Sequence, residues 1–355
     1  MASLYPLRLE RKLDRRLWGG QRLAAWLHLP QPWPVDLAES WQIYAENRVS
    51  NGPLAGRTLA EISQEFGPAL LGQRSLPRYG HDFPLLAKFL DANDKLSIQV
   101  HPDDAYAHTV EAHTGFHGKT EAWYILAAAP GAQVIYGLNR VSSREEFAAA
   151  VADGALESLL NYVPVQAGDV LFVPAGTLHA IDAGIMLFEI QQKSDLTYRV
   201  YDYNRRDSAG ALRQLHLHKA LQVIDYTPPG QGAIPPLALG PGHDLLVACP
   251  YFALERLRVD FGELSQAAAA QTWRTAPGTF EIWTLIEGAA ALAGETLRPG
   301  DSLLLPASLG DYEISPDRAT TLLRCTVPDL AAGLLPALQA AGHSPAAIAR
   351  TVMAS

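Results

Sequence analysis

Apolar and polar residues in this chain alternate in short runs more often than they cycle at helical spacing. In "KLSIQVHPDD", Leu96, Ile98 and Val100 point one way and Ser97, Gln99 and His101 the other, the period of a strand with two unlike faces. "GDVLFVPAGTLH" (168–179) and "GDSLLLPASLGD" (300–311) share the form G-D-x-L-x-x-P-A. In each, a Gly-Asp turn feeds a short apolar strand that proline ends. Upstream lies a second pair, "TEAWYIL" from Thr120 and "FEIWTLI" from Phe280. Two copies of strand, turn and strand predict two related β-domains, at 1–228 and 229–355. The first copy is longer by "NRVSSREEFAAAVADGALESLL", whose apolar residues recur at helical spacing and predict a helical insertion. "SAGALRQLHLHKALQVIDY" also reads as helix, and "TPPGQGAIPPLALGPG" as a Pro/Gly-rich connector. The stretch from Asp329 onward reads as a helix interrupted at Pro336. The first eighty-odd residues mix short strands with helix, an elaboration of the first β-domain.

Composition narrows the partners. The 355 residues carry a formal charge of −9, which argues against nucleic acid or an anionic membrane surface. An anionic small substrate remains compatible, because a few local cations set the field in a pocket. Cys249 and Cys325 alone cannot build a disulfide framework, so a reducing compartment is expected. No apolar run reaches the roughly 18 residues of a membrane span, and the N-terminus lacks a signal-peptide core. The expectation is a cytoplasmic protein, with its oligomeric state unreadable.

Three β-segments carry the chemistry. Gln99 and His101 share one strand face, Lys119 and Glu121 share another by the same two-residue rule, and "VPAGTLHAI" delivers His179 after a Pro-Gly turn. Two imidazoles, a carboxylate and an amide oxygen suit one divalent metal with positions left open, and zinc fits those donors.

"LSIQVHPDD", "GKTEAWYI", "VPAGTLHAI" and "EIQQKSDLTYRVYDYNR" together resemble the type I mannose-6-phosphate isomerases, particularly their shorter bacterial branch. The resemblance is good over roughly residues 1 to 225. It implies a mainly β fold of two cupin-type jelly rolls, the second degenerate, with helical insertions. It implies one zinc per chain on Gln99, His101, Glu121 and His179, and a sugar phosphate as the small-molecule partner. Glu189, Asp195 and Arg199 match positions used around the substrate; Ser97 and Lys119 match positions that bind phosphate. An aldose–ketose isomerase moves a proton between C1 and C2 through an enediolate, so it needs an acid/base group and nearby positive charge. Arg199 fits the second need; Asp195, Glu189 or a metal-bound water fits the first, and the sequence leaves the choice open.

Blander readings compete. His108, His113 and His117 are irregularly spaced in a loop and are read as non-ligands; His216 and His218 as surface or packing residues; Asp103 and Asp104 as turn or cap residues. "GFHGKT" mimics the end of a phosphate-binding loop, but a strand follows it. Lys119 and Arg199 have ordinary readings as solvated or salt-bridged charges. In the second repeat His179 maps onto Asp311 and no "QVH" pair precedes Glu281, so one active site is expected. The alternatives to a mannose-6-phosphate isomerase are an isomerase of another aldose, an iron-dependent cupin oxygenase, or a non-catalytic sugar-binding cupin.

Overall fold

Short alternating runs bounded by glycine and proline become strands throughout. The computed structural model describes residues 3–206, 210–230, 232–259 and 271–353. The first unit faces a six-stranded antiparallel sheet against a five-stranded one. The larger sheet runs Lys12–Gly20, Leu37–Ile43, Leu85–Ala92, Ile185–Gln192, Glu121–Ala128, Val170–Val173 in spatial order. The smaller runs Tyr198–Tyr201, Ile98–Val100, His179–Ile181, Gln133–Leu138, Leu160–Pro164. Trp18, Leu90, Ile125, Leu171 and Leu187 fill part of the space between them. This is the expected jelly roll.

The second unit repeats the plan. Its six strands are Leu237–Gly240, His243–Ala248, Ala253–Val259, Thr320–Thr326, Glu281–Glu287 and Ser302–Leu305, packed against a four-stranded sheet. The registers match residue for residue at the centre. Glu189 sits opposite Lys88 and Trp123 in the first sheet; Arg324 sits opposite Glu255 and Trp283 in the second. Glu121 pairs with Val173 and Glu281 with Leu305, both at the start of their strands. The carboxylate is therefore repeated, while the Lys–Glu pair beside it becomes Glu–Arg with its charges exchanged.

In the second barrel the central cation is Arg324. Its guanidinium nitrogens lie 2.8 Å from Glu281 and 3.0 Å from Glu255, between the rings of Trp273 and Trp283. Glu281, fully buried, also accepts from Tyr312 at 2.6 Å and Trp283 at 2.8 Å. Burial alone would lower the basicity of Arg324, but Glu255 and Glu281 push it above its ordinary value. The same arginine overcomes the burial of Glu255 and holds that carboxyl below its usual range. A buried polar cluster of Arg324, Glu255 and Glu281, with His243 Nε2 2.8 Å from Glu255, therefore stands in the second barrel.

The two units share a core: Phe83 stacks on Phe280 at 4.9 Å, and Leu7 exchanges both backbone hydrogen bonds with Leu304 (2.8 and 3.0 Å). Gly72, at φ +74°, touches the Gly278–Thr279 backbone so closely that a Cβ would come within 2.2 Å of it. No helix among the described residues is long and apolar enough to cross a membrane.

The helical and connector readings hold in part. The insertion forms as expected, with Arg144–Ala152 capped by Ser143. The 208–226 stretch, however, is helical only over Leu217–Val223; Ser208 and Ala209 lie outside the described residues. Beyond Pro229 the connector includes the strand Leu237–Gly240, held by pairing with His243–Ala248. The C-terminal stretch is π-helical over Leu330–Leu334 and turns α-helical over Leu335–Ala340, so the irregularity falls beside Pro336 as read, and a second break at Gly342–Ser344 precedes Pro345–Thr351.

Candidate metal centre and cavity

Cross-strand pairing assembles the site. On the smaller sheet Arg199 pairs with Gln99 and Gln99 with His179, giving a row across three strands. On the larger sheet Trp41, Lys88, Glu189 and Trp123 form a second row. A cavity of about 420 Å³ lies at this end of the barrel, lined by Ser97, Gln99, Lys119, Glu121, Glu189 and Arg199 among others. That volume suits a small-molecule ligand (roughly 300–1,000 Å³). A larger cavity of about 620 Å³ lies under the 225–234 connector, but its charged lining among the described residues is Asp225 alone. The chemistry belongs to the smaller one.

His101, Glu121 and His179, each 1 % exposed, bring one donor atom apiece within 4.8 Å of one another, the one such His/Cys/Asp/Glu cluster among the described residues. His101 Nε2 is 3.5 Å from Glu121 Oε2, and His179 Nε2 is 3.4 Å from Oε1. Each imidazole has its Nδ1 against a backbone carbonyl, Leu196 for His101 and Thr177 for His179, both at 2.8 Å. That contact places the proton on Nδ1 and leaves the Nε2 lone pair facing the cluster. Burial, followed by the Lys119 charge, lowers His101 well below its ordinary pKa. Burial also lowers His179, to about 4. Both are therefore in the neutral, metal-ligating form. Gln99 presents its amide to His179 Nε2 at 3.3 Å, and turning that amide over faces its oxygen to the same point. Glu121 Oε2 is buried and, though 2.9 Å from Lys119 Nζ, accepts no well-directed hydrogen bond.

Around this cluster the charges are dense. Lys119 Nζ is 3.0 Å from His101 Nε2 and 4.0 Å from Glu189 Oε1. Lys88 bridges Glu39 (3.1 Å) and Glu189 (3.3 Å). Burial disfavours the Lys88 ammonium, but Glu189 and Glu39 push its pKa up on balance. Burial, then the Glu121 charge, raises the pKa of Glu189. Arg199 donates from Nε to Ser97 Oγ (3.1 Å) and from a terminal nitrogen to Gln214 O (2.9 Å). Burial and the nearby Arg213 charge lower Arg199 to about 10.

All nine sequence-predicted residues gather here. Gln99, His101, Glu121 and His179 converge, and Ser97, Lys119, Glu189 and Arg199 line the cavity beside them. Lys119 lies against the metal cluster itself, and Asp195 stands solvent-exposed at the rim. His216, expected to be a surface or packing residue, instead lines the cavity, its Nδ1 accepting from Arg199 N at 3.2 Å. His108 and His117 bond each other at 3.0 Å and His117 meets Asp82 at 3.2 Å, outside any metal cluster. Asp103 caps a short helix through Tyr106 N, as read. Sequence reasoning missed Lys88, Glu39, Trp41, Arg16 and Arg213, all cavity-lining. The one available signal was Lys88, a lone cation inside the apolar "PLLAKFL".

Over residues 6–124 the chain matches the sequence profile of the type I phosphomannose isomerase catalytic domain. It is 36% identical over 321 residues to the mannose-6-phosphate isomerase of Streptococcus mutans, covering 88% of this chain and 96% of that protein. The crystal structure of the mannose 6-phosphate isomerase from Bacillus subtilis superposes with a TM-score of 0.79 at 34% identity, over 91% of this chain and 99% of that one. A zinc-bound mannose 6-phosphate isomerase has the same fold, with a TM-score of 0.70 at 19% identity over 91% and 99% of the two chains.

Proposed function

This chain belongs to the type I phosphomannose isomerase family, and from that footing we propose that it interconverts mannose 6-phosphate and fructose 6-phosphate in the polar cavity, with one zinc ion per chain. The observation that carries the reading is the buried convergence of His101, Glu121 and His179 on a common point, with Gln99 beside them.

The donor set fits zinc. Two neutral imidazoles offer Nε2, and Glu121 offers a buried oxygen lacking a well-directed hydrogen bond. Zinc bound there would supply Lewis acidity toward the substrate's C1 and C2 oxygens. The chain's own residues supply the rest. A proton must leave C2 and arrive at C1, and Glu189 suits that transfer better than Asp195. It is buried beside the metal cluster, and its raised pKa brings proton uptake and release nearer to working pH. Lys88, bridging Glu39 and Glu189, holds that carboxylate in place. Arg199, oriented by Ser97, meets the negative charge that grows on the enediolate. Lys119 adds a cation at the reacting end of the sugar. Residues 1–228 hold the chemistry in this reading, and 229–355 form a supporting barrel.

A coupled assay for fructose 6-phosphate, run with and without a chelator and alongside metal analysis, tests the proposal. Activity on mannose 6-phosphate that falls on chelation and returns with zinc is expected. Iron in place of zinc, or no turnover by zinc-loaded protein, would refute it.

A further inference from the structure

The seam between the two barrels carries a second polar cleft, of about 470 Å³, that shares no lining residue with the metal cavity. One wall comes from residues 74–79 of the first unit and the other from Pro250, Tyr251 and Val327 of the second. Its charge is one-sided: Arg74 and Arg78 line it, and no acid does among the described residues. The two arginines stand four residues apart, separated by Ser75 and the start of the single helical turn Leu76–Tyr79. Each is steadied by a neutral acceptor. Arg74 donates from a terminal nitrogen to Val327 O at 3.1 Å, and Arg78 donates to Pro250 O at 3.2 Å with its guanidinium 4.7 Å from the Tyr251 ring centre. Those carbonyls flank paired strand ends, where Ala253 sits opposite Thr326, so the two guanidiniums reach neighbouring parts of the second barrel. Neither has a carboxylate within 4.0 Å among the described residues. Asp104, whose charge is felt at Tyr251, spends its Oδ1 on Gly118 N at 2.9 Å and Gln192 at 2.8 Å. Ser75 also lines the cleft; it is 2% exposed, and its buried hydroxyl has no hydrogen-bond partner.

We propose that this cleft binds the phosphate group of a small phosphate ester, which ties the two barrels together across their seam. A guanidinium is a planar fork of five N–H donors, so an arginine with one nitrogen committed keeps others for phosphate oxygens. Charge-assisted bonds of this kind are the strong ones, and two arginines held in place by carbonyls lose little freedom in forming them. Burial, then the Asp104 charge, raises the pKa of Tyr251, so its hydroxyl stays protonated and able to donate. The rest of the ester finds apolar walls in Pro77, Pro250 and Tyr251. The volume lies within the range of small-molecule sites, roughly 300–1,000 Å³. Arg74 and Arg78 belong to one barrel and Tyr251 to the other, so a ligand held by all three is bound only while the seam is closed.

The test titrates phenyl phosphate and inorganic phosphate calorimetrically into the zinc-loaded protein and follows urea unfolding at matched probe concentrations. Phenyl phosphate should bind the wild type more tightly than inorganic phosphate and raise its unfolding midpoint, since a ligand of the folded state alone stabilises that state. Arg74→Ala and Arg78→Ala should each weaken that binding roughly tenfold or more, the low end for a charge-assisted contact, and shrink the rise in midpoint. Added salt should weaken it too, because both arginines are exposed. Arg78→Lys should recover part of the loss. Arg78→Gln can keep the Pro250 contact while removing the charge, so it carries the test if an alanine variant fails to fold; zinc content near wild type serves as the check on folding. Equal binding by wild type and all the variants would put the anion at the metal instead and overturn the cleft site. No binding to the wild type would overturn it as well, and equal affinity for the two probes would overturn the ester.

Discussion

Replacing Arg324 by methionine removes the cation that Glu255 and Glu281 share inside the second barrel, and leaves Glu255 with only His243, 2.8 Å away, as a basic partner. Both carboxylates are buried, Glu281 completely, and both lie within 3.0 Å of the guanidinium. Breaking a buried pair from one side typically costs about 3–5 kcal/mol, because a charge is left without compensation. The flanking Trp273 and Trp283 contacts add about 0.5–1 kcal/mol each. A loss of about 4–7 kcal/mol is therefore expected at pH 8. The stranded carboxyls can escape by protonating, so their folded pKa values rise in the variant. A raised carboxyl pKa takes stability away as pH increases, and the loss should shrink towards pH 5.5. Changing Glu255 and Glu281 to glutamine in the same protein should restore much of it. The assay is urea unfolding followed by tryptophan fluorescence at both pH values, with kcat measured below the unfolding range. If the second barrel is scaffold, kcat stays near wild type in whatever remains folded. A loss under about 1 kcal/mol at pH 8, or no recovery with the two glutamines, would refute the account of Arg324 as an internal counter-ion.

Three further outcomes follow from the first barrel. His179→Ala should leave a folded protein, since the core there is apolar, but should weaken zinc binding at least 100-fold, beyond the 10- to 100-fold typical of outer residues; full zinc content by metal analysis would remove His179 from the ligands. Arg199→Ala should lower kcat by roughly 10²–10³ with zinc retained, and an unchanged kcat in steady-state assays would take it out of the chemistry. In metal-stripped protein, His179 stays neutral down to about pH 4 while the unfolded chain takes up its proton near 6.5. Stability should therefore fall as pH drops from about 6.5 towards 4, by about 3 kcal/mol from this residue, and urea midpoints of His179→Gln should lose that part of the fall.

The ligands were legible because strand geometry is local. A two-residue period puts Gln99 and His101, or Lys119 and Glu121, on one face whatever the rest of the chain does. The duplication was legible for the same reason, since each copy carries its own turn and proline stop. Lys88 and Glu39 were not, because what brings them to the cavity is register between strands far apart in the chain, and Arg213 reaches it from a segment that is neither strand nor helix. Glu189 meets Lys88 only through the pairing of Ile185–Gln192 with Leu85–Ala92. The charge exchange to Glu255 and Arg324 is invisible until the two registers are compared. The helix was over-read at 210–216 because leucines at helical spacing need a surface to pack on. Leu212 and Leu215 are instead exposed, and Arg213 turns to the cavity.

The exchange of hydrogen bonds between Leu7 and Leu304 sets an order of events during synthesis. Leu7 leaves the ribosome about 300 residues before its partner exists. At the 5–20 residues per second of translation, it waits roughly 15 to 60 seconds with its donor and acceptor bonded to water instead of to Leu304. The shared core extends the same dependence to Phe83, which stacks on Phe280. The metal-binding barrel can collapse early around its own strands, but it acquires its last wall only when the second barrel is nearly complete. Such long-range closure is slow and depends on the whole chain. An evolutionary change that shed the second barrel would thus remove a surface on which the first one finishes folding, which gives a barrel without a proposed catalytic role a reason to persist.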